Sequence, residues 1–126
     1  MSSYTFDANI VIDALAGVRL AYLELSRARA GGQRLWINRV AWIEVLSKGL
    51  PHELKTAQLF LSGFSIDELD QETAELAAAL RRERIRLRAV DAIILASAQV
   101  HGRILVTRNT KDFPAEMPGI RVPYQL

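Results

Sequence analysis

The chain has 126 residues, enough for one compact core and too few for a second, so a single domain spanning 1–126 is expected. Half of the residues are hydrophobic and 24% are charged, which excludes a disordered tail. The absence of cysteine excludes a disulfide scaffold, a thiolate zinc site and cysteine catalysis, and a net charge of +2 says little about a nucleic-acid partner. No apolar run approaches the roughly 20 residues of a membrane span, and MSSYTFDANI lacks the charged start of a signal peptide. A cytoplasmic protein with no membrane partner is the expectation.

Tyr4–Phe6 reads as a short strand ending at Asp7. Ile10, Val11, Ala14 and Leu15 then fall at helical spacing, with Gly17 as the stop, and a second helical pattern runs from about 18 to 30. RLWIN (34–38) predicts a strand, VAWIEVLSKG (40–49) a helix, and HELKTAQLFLSG (52–63) another. Residues 64–66 suit a short strand, and Asp70 suits the N-cap of QETAELAAALRRE. VDAIILASAQVHG (90–102) predicts a helix, RILVT (103–107) a buried strand, and residues 120–122 an edge strand among prolines. Strands alternating with helices imply an α/β sandwich with a mainly parallel central sheet.

Charge is unevenly spread. Half of the basic residues lie between Arg81 and Lys111, opposed there only by Glu83 and Asp91. The centre of this stretch, RRERIRLR (81–88), has a bland reading as a solvated helix end and a sharper one as a grip on phosphates. From the run alone the bland reading is favoured.

In an open parallel sheet, ligands bind beyond the carboxyl ends of the strands. Asp7 follows the first strand, Glu44 lies in the helix after the second, Asp91 near the start of a late helix, and Asn109 and Asp112 just after RILVT. Each has an ordinary explanation: Asp7 as a helix cap, Asp91 as a first-turn acid, Asp112 as part of the turn NTKD. Glu44, inside WIEVL, is the hardest to explain that way. Converging at one sheet end, the acids would repel one another unless a cation joined them. Carboxylates without cysteine or a nearby histidine select Mg2+ or Mn2+ over zinc, ions suited to phosphoryl chemistry.

Together, FDANIVIDAL, WIEVL, VDAIILASAQVHG and ILVTRNTKDF resemble a PIN domain, and most closely the VapC-type toxins of bacterial VapBC toxin–antitoxin pairs. The resemblance covers nearly the whole chain and rests on the order and spacing of the blocks. It implies a PIN-like three-layer α/β/α sandwich and a Mg2+- or Mn2+-dependent endoribonuclease. It further implies a homodimer, held inactive by a VapB-type antitoxin. Asp7, Glu44 and Asp91 match the family's metal-holding acids. Asn109 stands where many relatives carry a fourth acid, so either Asp112 takes over or Asn109 binds through its amide oxygen or through water. Thr107 matches a strand-end hydroxyl and Asn9 a small polar position beside the first acid. Ala41 stands where relatives often have threonine. Arg86, Arg88 and Arg108 are expected to grip the RNA substrate.

No side-chain nucleophile is required, and His52 and His101 read as surface or helix-end residues. Trp36, Trp42, Phe60 and Phe64 read as core. The patterns at 18–30 and 52–63, with Leu20, Leu23, Leu59 and Leu61, suit either an apolar docking surface or ordinary core helices. The principal rival is a non-catalytic PIN-like module that binds RNA or protein without cutting. A phospho-receiver is disfavoured because ILVTRN ends in arginine rather than lysine. A structure-specific DNase or rRNA-processing enzyme is disfavoured by the small size.

Overall fold

The computed structural model describes residues 2–126. Five strands form one sheet: β1 (Tyr4–Phe6), β2 (Leu35–Asn38), β3 (Ser65–Asp67), β4 (Ile104–Val106) and β5 (Ile120–Arg121). Their order is β3-β2-β1-β4-β5, and every pairing is parallel. Six helices connect them: α1 (Ala8–Leu15), α2 (Arg19–Arg29), α3 (Arg39–Leu46), α4 (Leu54–Leu61), α5 (Gln71–Glu83) and α6 (Ala89–Val100). α1–α4 pack in sequence as the chain steps outward from β1 to β3, and α5 packs on α6 on its return to β4. Right-handed crossovers, the rule for parallel connections, put the two groups on opposite faces. The result is an α/β/α sandwich.

Local chemistry sets the helix boundaries. Asp7, Asn38 and Asp70 have extended backbones, and their side chains accept from Ala8 N, Val40 N and Thr73 N to open α1, α3 and α5. Gly17 and Gly102 supply the positive φ that ends α1 and α6 cleanly. The core is centred on Phe6, Ile10, Ile37, Ile94, Leu105, Val106 and Phe113, all fully buried. Phe6 meets Phe64 edge to face at 6.2 Å. Trp36 and Trp42 are only partly buried, each lying under a guanidinium, Arg103 at 3.8 Å and Arg39 at 4.7 Å.

Both edge strands are short. β5 has two residues, and Arg121 on it is gripped at 2.8 and 2.9 Å by Glu24 of α2, a buried carboxylate that also holds Arg27. Asp67, at the end of β3, pairs with Arg103.

Chain order reverses between β1 and β4. This switch point opens a crevice at the carboxyl ends of those two strands, where the sequence places Asp7 and Thr107.

Candidate metal centre and catalytic site

Asp7 is buried where β1 turns into α1 and is held from three sides. Oδ1 accepts from Ala8 N at 2.8 Å, and Oδ2 accepts from the Thr107 hydroxyl at 2.8 Å and Asn9 Nδ2 at 3.2 Å. Asn9 Nδ2 also donates to Thr107 Oγ1 at 3.2 Å, so α1 and the end of β4 are joined through this carboxylate. Asp7 therefore both caps its helix and faces the crevice, and the two readings of it are compatible.

Burial pushes the Asp7 carboxyl up to about 6, against the pull of Thr107 and Ala8, and the charges of Asp91 and Glu44 add to the rise. Glu44, half-buried on α3, is raised by burial and then by Asp91, with Arg88 and Lys48 opposing. Asp91, buried in the first turn of α6, is raised by burial and by Asp112, with Arg88 pulling it down. The structure thus brings Asp7, Glu44 and Asp112 each within electrostatic reach of Asp91 at one sheet end. Burial first, and neighbouring negative charge after it, disfavours ionisation of Asp7, Glu44 and Asp91.

The acids are not drawn to a single point. Among the described residues, no three Asp, Glu or His side chains converge closely enough to hold a metal ion as they stand. Asp7, Asp91 and Asp112 are engaged by protein donors instead. Arg88 Nε donates to Asp91 Oδ2 at 3.0 Å, and Asn109 Nδ2 donates to Asp112 Oδ2 at 3.0 Å. The arginine side chain is 72% exposed, so releasing Asp91 costs only a solvent-screened pair. The donor set is all oxygen, from carboxylate, amide and hydroxyl, and its mutual repulsion is what a divalent cation relieves. Asp7, Glu44 and Asp91, with Asp112 or the Asn109 amide oxygen, fit a hard ion in chemistry.

The run 81–88 divides between its two readings. Arg81 and Arg82 lie in the last turn of α5, as a helix end would have them. Arg84, Arg86 and Arg88 line an open groove of about 910 Å³ together with Lys111, Asn109 and Asp112, beside the carboxylates. The loop is tied down at both ends. Arg84 Nη2 donates to the Asp112 carbonyl at 2.5 Å, and Leu87 is buried.

Arg108 departs from expectation. Its guanidinium is held by both oxygens of Asp13, at 2.6 and 3.0 Å, rather than lining the groove. Tyr124 donates its hydroxyl to the same Asp13 at 2.7 Å. Asp13 and Tyr124 escape a reading of strand ends because neither lies at one. The one available signal is that Asp13 stands four residues after Asn9, on the same face of α1.

A second concavity, of about 530 Å³, lies between α2 and α4, lined by Leu15, Tyr22, Leu25, Leu59, Phe60 and Phe64 among others. Leu59 is 74% exposed there, and Leu20 and Leu23 are also exposed on α2. Leu61 is core, because it turns inward two positions after Leu59.

The family pattern described as PIN domain matches residues 4–115. No curated protein matches the chain. Among solved structures, a chain of a toxin–antitoxin complex from Klebsiella pneumoniae is 41% identical, with a TM-score of 0.88 over 98% of this chain and 100% of that one. A chain of the DNA-bound VapBC from Salmonella typhimurium is 23% identical, with a TM-score of 0.78 over 96% of each. A chain of VapBC2 from Rickettsia felis, bound to a promoter DNA fragment, is 22% identical, with a TM-score of 0.77 over 93% of this chain and 94% of that one. The latter two likenesses speak to fold.

Proposed function

Because the chain belongs to the PIN-domain family, we propose that it is the toxin of a toxin–antitoxin pair and acts as a Mg2+- or Mn2+-dependent endoribonuclease. The observation that carries this reading is the set of mutually repelling carboxylates at the β1–β4 switch point, beside a groove lined by cationic side chains. Asp7, Glu44 and Asp91, with Asp112 or Asn109, would hold the ion. When bound, it supplies positive charge for the phosphate and a nucleophile derived from water at neutral pH.

The chain's own residues do the rest. Thr107 and Asn9 fix Asp7 Oδ2, leaving the carboxylate unable to swing away from the crevice. Arg86 and Lys111 bind phosphates along the groove without carrying base identity. Arg88 serves both ends: it neutralises Asp91 at rest and lies close enough to the groove to take a phosphate instead. No protein nucleophile is needed.

The toxin–antitoxin complex from Klebsiella pneumoniae supports an antitoxin partner for this chain. The α2–α4 groove, apolar and with Leu59 projecting, suits an amphipathic segment of that antitoxin. A homodimer is part of the same proposal and is checked by light scattering.

The decisive experiment is cleavage of a structured RNA by metal-stripped protein with Mg2+ or Mn2+ added back, for wild type and Asp7→Asn. Cleavage that requires the ion and falls by about a hundredfold or more in the variant is expected. Wild-type protein that binds the RNA but never cuts it, with either ion present, would overturn the nuclease reading in favour of a non-catalytic binding module.

A further inference from the structure

Asn9 and Asp13 stand one turn apart on α1, and both reach the same residue. Asn9 Oδ1 accepts from the backbone N–H of Arg108 at 3.3 Å. Asp13, 6% exposed, takes the guanidinium through both oxygens, and Tyr124 from the chain's far end donates to its Oδ2. Burial opposes ionisation of Asp13, but Arg108 and Tyr124 outweigh it and hold the carboxyl below its ordinary range.

The arrangement has a directional consequence. Because Arg108 presents an N–H, the Asn9 amide must turn its oxygen that way and its nitrogen toward Asp7 Oδ2 and Thr107 Oγ1. A displaced Arg108 would free this amide to rotate, and Asp7 would lose a donor. A buried ion pair contributes little net stability over an apolar replacement, whereas its geometry is specific.

We propose that the Asp13–Arg108–Tyr124 cluster is a positioning clamp for the Asp7 carboxylate, which makes Tyr124, 111 positions from Asp13, a working part of the site. Arg108 and Tyr124 act through Asn9 and Thr107 and touch no substrate. The inference rests on the proposed role of Asp7 in holding a divalent cation. The molecule supplies its own control in Glu24, a buried carboxylate likewise bound by guanidinium groups. Its one link toward Asp7 is the backbone bond from Thr107 N to the Arg121 carbonyl, which Glu24→Gln leaves in place.

The test is Mn2+ titration of the RNA-free protein, following free Mn2+ by electron paramagnetic resonance, with melting curves to confirm folding. Arg108→Met is expected to weaken Mn2+ binding about tenfold, as loss of an outer-shell partner does. Tyr124→Phe should show a smaller loss, Arg108→Lys partial recovery, and Glu24→Gln wild-type affinity despite its lower melting temperature. With RNA present and Mn2+ saturating, Arg108→Met should lower kcat and leave KM near that of wild type.

Folded Arg108→Met and Tyr124→Phe proteins that bind Mn2+ as wild type does would overturn the clamp, as would Glu24→Gln weakening binding equally. If Arg108→Met does not fold, Tyr124→Phe decides. Asp7→Asn separates the two levels. Wild-type Mn2+ affinity in that variant would overturn the metal reading itself, whereas its loss alongside undisturbed clamp variants would overturn the clamp alone.

Discussion

At the scale of single residues, the site is organised around one carboxylate that the fold makes reluctant to ionise. The Asp7 carboxyl lies at about 6 in the folded protein, against an ordinary value of 3.8. Between those values the folded chain holds a proton that the unfolded chain has released, so Asp7 withdraws stability as pH rises through the window from about 4 to about 6. The difference in unfolding free energy between wild type and Asp7→Asn, measured in urea without added metal, should therefore shift against wild type by of order 3 kcal/mol between pH 4 and pH 7. A difference that is flat with pH would show that burial does not raise this group.

Asp7 was legible in the sequence because a polar residue immediately after an apolar strand has few other places to go. Glu44 and Asp91 were legible for similar reasons, each an acid set among apolar neighbours. The partners of Asp7 were less so. Thr107 and Asn9 came only through resemblance, and the engagement of Arg108 by Asp13 joins residues 95 positions apart that no local pattern connects. An arginine beside a strand end reads equally well as a phosphate ligand until its partner is seen.

At the scale of elements, α3 shows how a cap can serve a site. Asn38 is fully buried, accepts from Val40 N at 2.8 Å and starts the helix that carries Glu44. Asn38→Ala should cost about 1 kcal/mol, a fall of roughly 3–5 °C in melting temperature, and should lower cleavage because Glu44 rides on the loosened helix. The α2–α4 groove makes a separate prediction. Leu59→Glu should abolish capture by the co-expressed antitoxin in a pull-down while leaving RNA cleavage unchanged.

Element types and order follow from the alternation of strand and helix periods, but parity within an element does not. β3 begins one residue later than the pattern suggests, at Ser65, and Leu59 and Leu61 part company because which of two nearby leucines faces inward depends on how α4 packs. The run 81–88 was ambiguous for a different reason. Helix end and groove-lining loop share one stretch, and composition cannot show where α5 stops.

At the scale of the whole molecule, the modest net charge averages over two opposed clusters, acids at the switch point and cations along the adjacent groove. A divalent cation binding between them should stabilise the fold in proportion to how fully the acids are ionised. Scanning calorimetry with Mg2+ or Mn2+ should show a larger rise in melting temperature at pH 7.5 than at pH 5, where a proton on Asp7 competes with the ion. Equal rises at both values would place the ion elsewhere.

The short edges of the sheet have a consequence for assembly. β3 spans three residues and β5 two, and Glu24 fastens the β5 arginine back onto α2. A foreign strand seeking to extend the sheet would find almost no open backbone ladder at either margin. Association is thereby steered away from strand addition and onto helix faces and grooves, where side-chain shape rather than generic backbone pairing selects the partner. A chain built this way can be sticky toward one companion and still resist stacking into fibres of itself.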